Sequence, residues 1–179
     1  RNAPHNLYAD TELVREYIDA RGYLFNQNVE PLYRFGNDQT NWSDDAGRVT
    51  IKYSEFTTVI WKQDGEQYSR FIVDGYSPTK DAEAHNFITR DGYTDILNTS
   101  SIVIIQGPLY NDEATTLPSV LTVGVGPLTI ISNGKYIQGT WRRNDIADPF
   151  EFYDNDTNKI QVPPSKQWIH LLPVSYTHL

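Results

Sequence analysis

The most constraining feature of this chain is the segment 133–143, which reads NGKYIQGTWRR. Asn133-Gly134 is a strong signal for a two-residue hairpin loop, because both central residues of a type I′ turn need a positive φ. The segments on either side, Leu128–Ser132 and Lys135–Arg142, both have the composition of strands. The sequence therefore predicts a β-hairpin at the centre of a β-rich core.

The second strand of this hairpin has one apolar face. Ile137, Gly139 and Trp141 alternate along it with more polar residues. A glycine between two large apolar residues leaves space for a neighbouring backbone or ring to come close. We therefore predict that Ile137 and Trp141 are buried and that a neighbour packs against Gly139.

Period-two patterns also occur on both sides of the hairpin. Val49, Ile51 and Tyr53 alternate with polar residues, and Asp64-Gly65 predicts a second hairpin. Gly126-Pro127 is predicted to separate two strands, and the loop-rich stretch 74–94 has room for a short helix. Further strands are predicted at 58–62, 67–73, 102–105, 120–125, 150–153, 159–162 and 168–172.

One helix is predicted near the N-terminus. Asp10 or Thr11 supplies its cap, and Gly22 supplies a left-handed stop. The segment 23–47 is rich in Asn, Asp, Gln, Pro and Gly, which predicts a long linker with little regular structure.

These patterns predict an α+β chain that is mainly antiparallel β. We expect an N-terminal helix and linker at 1–47, a β-rich C-terminal domain at 48–173, and a tail at 174–179 that is disordered or foreign to the native sequence. A single bent sheet and a sandwich-like β domain both fit the pattern, and the strand order stays open.

Composition excludes several classes of function. The net charge is −8 and the pI is about 4.9, which argues against nucleic acid or an anionic membrane surface as a main partner. The chain has no cysteine, so thiolate zinc sites and cysteine nucleophiles are excluded within it. It also has no methionine, so we expect a fragment or a processed product of a longer protein.

Histidine beside carboxylates can act as a general base or as a metal ligand. His85 stands near Asp91 and Asp95 in a loop-rich stretch, so these three are the candidate catalytic residues for a hydrolase or a metal-dependent enzyme. The same residue types also serve simply as caps and turns. His170 alternates with apolar neighbours, which predicts an exposed or edge position on a strand.

A polar run near the C-terminus is the candidate metal site. Asp154, Asp156 and Asn158 repeat the opening of a calcium-binding loop, in which oxygens at alternate positions converge on the ion. Lys159 then stands where the loop needs glycine, and Ser165 stands where it needs a bidentate glutamate. A polar hairpin turn is the alternative.

The candidate binding residues lie on the second strand of the central hairpin. Trp141 and Tyr136 could stack on the sugar rings of a cell-wall glycan, and Arg142 and Arg143 could contact a phosphate or carboxylate. The alternative is that the aromatic residues belong to the core and that the two arginines form a solvated strand end.

Several motifs resemble those of the YerB-like lipoproteins of Gram-positive cell envelopes, a two-domain family of unknown function. The matching motifs are PHNLY at 4–8, Tyr53-Ser54, Trp61, Tyr68, Arg70, Asn133-Gly134-Lys135, Gly139-Thr140-Trp141 and Trp168-Ile169 followed by Pro173. The resemblance implies an extracytoplasmic, lipid-anchored parent protein whose N-terminal domain lies mostly outside this chain. It implies no known reaction.

This sequence departs from the family between residues 75 and 95. There the family carries a Pro-His pair with an acidic residue two places on, whereas Ala84-His85 is followed here by Phe87. The residues alone leave two functions open. One is a non-enzymatic envelope module that binds a protein or a cell-wall glycan, without a cofactor other than calcium and with no membrane contact except an upstream lipid anchor. The other is the enzyme based on His85.

Overall fold

The structure is a computed structural model that describes residues 10–23, 30–43, 45–76, 81–89, 91–113 and 117–174. The chain divides into two compact units, Arg1–Glu30 and Pro31–Leu179. This division lies upstream of the boundary at residue 47 that the sequence suggested. The predicted tail lies outside the described residues except for Val174, which is exposed.

The first unit contains the predicted helix, α1, at Thr11–Ala20. Asp10 is its N-cap, and the carboxylate of Asp10 accepts a 2.9 Å hydrogen bond from the backbone N–H of Glu12. Gly22 follows the helix with φ +69°, the left-handed conformation that glycine adopts without strain. In the described residues, no helix combines the length and the apolar character needed to cross a bilayer.

The second unit is built from strands, which confirms a mainly antiparallel β fold. In chain order they are β1 (Arg48–Lys52), β2 (Thr57–Asp64), β3 (Gln67–Asp74), β4 (Ala82–Ala84), β5 (Asn86–Ile88), β6 (Thr94–Ile96), β7 (Asn98–Thr99), β8 (Ser101–Gly107), β9 (Leu109–Asn111), β10 (Pro118–Val120), β11 (Gly124–Ser132), β12 (Lys135–Arg143), β13 (Glu151–Asp154), β14 (Lys159–Ile160) and β15 (Gln167–Pro173).

Two large sheets organise these strands. The five-stranded sheet has the order β1-β2-β3-β4, with β7 also paired to β3. The six-stranded sheet has the order β14-β13-β12-β11-β8-β15, and β15 runs parallel to β8. Smaller pairs join β9 to β10 and β5 to β6. The single bent sheet is therefore wrong, because the described strands form several sheets.

The predicted central hairpin is confirmed as β11 and β12. Asn133 and Gly134 have φ of 51° and 73°, and Ser132 lies opposite Lys135. Ile137 and Trp141 are buried on β12, with Trp141 fully buried. The alternation and the turn residues predicted this hairpin because both depend only on local sequence.

The predicted break at Gly126-Pro127 is wrong, because β11 runs through both residues. β8 pairs with β11 only from Leu128 onward, opposite Ile105. Pro127 therefore lies where β11 is bonded to β12 alone, at a position opposite Thr140. A proline is tolerated at such a free side of a strand.

The stretch 74–94, where a short helix was considered, forms strands in its described residues. The described residues of this stretch contain β4, β5 and the start of β6. The backbone N–H of Thr89 donates to the carbonyl of Tyr93 at 2.8 Å and closes a hairpin between β5 and β6. Strands of three residues are too short to show a period in the sequence.

The two faces of β8 lie in two different hydrophobic clusters. Ile102 and Ile104 belong to the sandwich core, which the five-stranded sheet closes with Trp61 and other residues of β1, β2 and β3. Val103 and Ile105 belong to the outer core on the opposite face of the six-stranded sheet. The two large sheets thus pack as layers, as the sandwich-like alternative predicted.

The outer core is covered by the segment that was predicted to be a linker. Residues 31–43 form only isolated bridges, such as Tyr33 with Phe150 and Ser43 with Tyr136, which agrees with the prediction of little regular structure. However, Tyr33 and Trp42 are buried in the outer core. The segment is part of the β unit because burying these two aromatic side chains in the outer core removes apolar surface from water.

Replacing Gly139 with alanine is expected to destabilise the protein by roughly 1–3 kcal/mol, the usual cost of adding a methyl group to a packed interior. The new Cβ would collide with the carbonyl oxygen of Tyr153, a backbone atom of the paired strand β13. Urea unfolding measures the loss. Gly47→Ala is the control, since its Cβ would lie 3.7 Å from Gln63 Oε1. Equal stability of the two variants would contradict the prediction.

Candidate functional site

A buried histidine lies where the two large sheets meet. His170 is on β15, opposite Ile104 of β8, and its side chain is only 1% exposed. The predicted edge position is correct, because β15 is the last strand of the six-stranded sheet, but the predicted exposure is wrong. Although β15 lies at the margin of the six-stranded sheet, Trp61 of the five-stranded sheet packs over this face, with ring centroids 5.9 Å apart.

The hydrogen bonds of His170 assign its tautomer. Trp61 Nε1 donates to His170 Nε2 at 2.9 Å. An indole nitrogen can only donate, so Nε2 carries no proton and the neutral ring holds its proton on Nδ1. Nδ1 contacts the hydroxyl of Tyr53, and the Nδ1–H therefore donates to that oxygen. The hydroxyl proton of Tyr53 is therefore not used in this contact.

His170 is held neutral by its surroundings. Burial and, secondarily, the charge of Arg70 lower the pKa of His170 to about 3. The same burial raises the pKa of Tyr53, although the nearby Arg70 partly offsets this effect. Both side chains are therefore uncharged near neutral pH.

Arg70 lies beside this pair on β3, opposite Trp61. The guanidinium carbon lies 5.0 Å from the ring centroid of Trp168 and 5.9 Å from that of Trp61, so two indole rings line the cation. Burial lowers the pKa of Arg70. Its Nε is buried and has no hydrogen-bond partner in the described part of the chain. We call Tyr53, Arg70, Trp168 and their supports Trp61 and His170 the arginine cage.

The candidate catalytic residues lie in and next to the β5–β6 hairpin. The ring of His85 contacts Arg70, whose Nη1 meets His85 Nδ1. Asp95 is on β6, where its Oδ1 accepts a 2.7 Å bond from the N–H of Ile96, and Asp91 is exposed in the turn before β6. Within the described ranges, no three His, Asp or Glu side chains form a group that could hold a metal ion. Catalysis by these residues stays a prediction.

The candidate binding residues divide between core and surface. Trp141 is fully buried and donates from Nε1 to the carbonyl of Gln106 at 2.7 Å, so no part of its ring reaches solvent. Arg142 lies over the ring of Tyr153 at 5.0 Å. Arg143 donates from Nε to the carbonyl of Asp148 at 2.7 Å and so holds the loop after β12. Tyr136, by contrast, is half-buried and lines open clefts.

The inter-sheet cleft, about 490 Å³ in volume, opens between β1 and the hairpin of β11 and β12. A second cleft of about 300 Å³, the turn cleft, shares Tyr136 and Gln138 with it and extends towards Asp154. Volumes of this size suit a small ligand or one unit of a chain. The inter-sheet cleft is lined by Asp45, Ala46, Arg48, Val49, Thr50, Thr129, Ile131, Tyr136 and Gln138.

The candidate calcium residues form a hairpin turn between β13 and β14. The carboxylate of Asp154 accepts from the backbone N–H of Asp156 at 2.9 Å and of Asn158 at 2.8 Å, and from the Asn158 side-chain amide at 3.0 Å. These bonds hold the pKa of Asp154 below its usual value, and the bond from the side chain of Asn158 has the largest effect. The turn alternative accounts for each of these contacts, and calcium at this position stays a prediction.

The arginine cage was missed as a site by sequence reasoning. Tyr53, Arg70 and His170 come from three different strand regions, and 117 positions separate Tyr53 from His170. A histidine in an alternating strand is typical of an exposed position unless a second sheet covers it. The one signal in the sequence that pointed to these residues was the family resemblance, which included Tyr53, Trp61, Arg70 and Trp168.

The comparisons with known proteins agree with that resemblance. Residues 47–169 match the profile of a family described as protein of unknown function (DUF3048), C-terminal domain. The crystal structure of the YerB protein from Bacillus subtilis matches with a TM-score of 0.65 and 18% sequence identity, over 96% of this chain and 54% of that chain. This likeness concerns the fold alone. No curated protein matches the chain. The predicted resemblance is confirmed.

The stability of the protein is expected to fall with pH in a way that depends on His170. Above pH 6.5 the imidazole is neutral in both states, whereas between 6.5 and about 3 only the unfolded chain takes up the proton. The free energy of unfolding therefore falls as pH falls, by up to about 1.4 kcal/mol per pH unit from this group. Urea unfolding near pH 7 and near pH 5 measures the slope. His170→Gln should show a shallower slope, and equal slopes would disprove the assignment.

Millimolar calcium is expected to leave the thermal unfolding midpoint unchanged. The oxygens of Asp154 already accept three hydrogen bonds within the turn, and a ligand that binds only the folded state would raise the midpoint. Differential scanning calorimetry with calcium and with chelator makes the comparison. An increase that disappears in Asp156→Asn would instead establish the calcium site.

Proposed function

This chain belongs to the DUF3048 family of proteins of unknown function, and from that premise we propose that it is a non-enzymatic module that binds cell-wall glycan. The ligand occupies the inter-sheet cleft and the turn cleft, with Tyr136 at their junction. The module is part of a longer, extracytoplasmic lipoprotein, anchored by a lipid on a segment upstream of this chain.

The observation that carries this proposal is the pair of adjoining clefts that share Tyr136 and Gln138. Binding sites for small ligands combine a concave surface with a few placed polar groups. Two connected depressions also suit a ligand made of repeating units, since each depression can take one unit.

The lining of the clefts suits a sugar. The half-buried ring of Tyr136 offers an apolar face and a polar tip, the combination that serves a ligand with both C–H and O–H groups. Amide, hydroxyl and carboxylate groups surround it, from Gln138, Thr50, Asn41 and Asp156. Each of these groups can exchange hydrogen bonds with ring hydroxyls.

The position of Tyr136 is fixed by the backbone. Its N–H donates to the carbonyl of Ser43 at 2.9 Å, and its carbonyl accepts from the N–H of Ser43 at 2.8 Å. Nearby, the N–H of Gly134 donates to the hydroxyl of the buried Tyr68 at 2.9 Å, which ties the β11–β12 turn to the five-stranded sheet. Rigid support of this kind lowers the entropy that binding costs.

The test is retention of the purified chain on insoluble peptidoglycan. Tyr136→Ala is expected to weaken binding roughly five- to tenfold, which corresponds to about 1 to 1.4 kcal/mol for the lost aromatic contact. Gln138→Ala should weaken it less. Tyr93→Ala is the matched control, because Tyr93 is 74% exposed in the β5–β6 hairpin, away from both clefts.

Two results would contradict the proposal. One is that the wild-type chain is not retained on peptidoglycan, and the other is that Tyr136→Ala and Tyr93→Ala bind equally well. Capture of an envelope protein in place of the glycan, lost in Tyr136→Ala, would assign the same clefts to a protein partner.

A further inference from the structure

The side chain of Arg70 is a cation in a low-polarity setting. Its guanidinium lies to one side of the Trp61 and Trp168 rings, which are tilted by 60° to each other, and its Nε is buried without a hydrogen-bond partner in the described residues. Its hydrogen-bond and ion-pair partners in the described ranges include no carboxylate. A cation removed from water is costly unless an anion compensates it.

Among the described residues, Arg70 has no carboxylate partner, although the chain is acidic. It contains 23 Asp and Glu against 15 Lys and Arg, so acidic side chains are plentiful. An exposed surface pair shows the ordinary arrangement, in which Lys159 Nζ lies 2.9 Å from Glu151 Oε1. The surroundings of Arg70 are instead two indole rings, a phenol and an imidazole.

Tyr53 supplies a second donor at the same place. The tautomer of His170 makes the Tyr53 oxygen an acceptor, which leaves the hydroxyl proton to donate. No described residue accepts that proton. Tyr53 and Arg70 are close enough to interact electrostatically, and neither residue is fully buried.

We propose that the arginine cage is a binding site for a carboxylate group, such as the C-terminus of a peptide, carried by a partner molecule. One carboxylate oxygen accepts from the guanidinium and the other accepts from the Tyr53 hydroxyl. The guanidinium fork matches the geometry of a planar carboxylate, and the half-buried ring of Trp168 lies beside that fork. His170 and Trp61 act as positioning residues, because their hydrogen bonds orient Tyr53.

This site is independent of the proposed glycan site. The arginine cage takes its residues from β2, β3, β15 and the position after β1, and none of them lines either of the two clefts. The two proposals can therefore fail separately.

The test is a titration of the intact chain with acetate, with an N-acetylated dipeptide that has a free C-terminus, and with inorganic phosphate, all at constant ionic strength. Binding is followed by the intrinsic tryptophan fluorescence, to which Trp61 and Trp168 contribute, and by the NMR signal of Arg70 Nε–H. We expect saturable binding of acetate and of the dipeptide. The Arg70 Nε–H signal should shift.

Three variants make the test specific. Arg70→Lys keeps the charge but loses the planar fork, and it should weaken carboxylate binding about tenfold or more. Tyr53→Phe removes one hydroxyl and should weaken binding several-fold. Arg21→Gln is the control, since Arg21 also lies over an aromatic ring, 4.9 Å from the centroid of Tyr17, but is exposed on the helical unit. It should bind as the wild type does.

Several outcomes would overturn the proposal. They are an absence of saturable carboxylate binding to the wild type, undiminished binding in Arg70→Lys, and equal binding of phosphate, which would make the cage a general anion site. If Arg70→Lys does not fold, the binding of Tyr53→Phe and the Nε–H signal of the wild type still test the proposal. Carboxylate binding that persists in Tyr136→Ala separates this site from the glycan site.

Discussion

The constraint on which the rest of the structure depends is that β8 is buried on both faces. All seven of its residues are buried, and its apolar side chains alternate between the sandwich core and the outer core. A strand that is apolar on both faces needs a cover on each side. The five-stranded sheet provides one cover. The segment 31–43, with Tyr33 and Trp42, provides part of the other.

The same burial forces the polar groups near β8 to find partners inside the protein. Ser101 Oγ donates to Ser132 Oγ at 2.9 Å across the β8–β11 pair, and Trp141 Nε1 donates to the carbonyl of Gln106. Each bond stabilises the fold mainly by avoiding an unsatisfied buried group, which would cost about 1–3 kcal/mol. His170, on the other side of β8, is satisfied in the same way by Trp61 and Tyr53. Arg70 differs from these satisfied groups, because its buried Nε has no hydrogen-bond partner among the residues that the structure describes.

Structural features that depend on neighbouring residues were predictable from the sequence, whereas features that depend on residues far apart in the sequence were not. The hairpin at Asn133-Gly134 and the cap at Asp10 follow from neighbouring residues, and the structure contains both. The continuity of β11 through Pro127 depends on where β8 stops pairing, which no local pattern reveals. The burial of His170 likewise depends on Trp61, which is 109 positions away. The burial of Trp141 follows from the alternation of the strand. However, a tryptophan on a strand can also stack on a ligand, and only the packing of the sheet shows that Trp141 belongs to the core.

The hydrogen bonds of the two described histidines, His85 and His170, indicate what their imidazole rings can do chemically. A general base needs a lone pair that can reach the substrate. The Nε2 lone pair of His170 accepts from Trp61, and burial keeps that ring neutral and out of solvent. The Nδ1 lone pair of His85 faces the guanidinium of Arg70, a group that can only donate. Both imidazoles thus hold donors in place. This arrangement fixes Arg70 and Tyr53 in position, which is the preorganisation that the proposed carboxylate site requires.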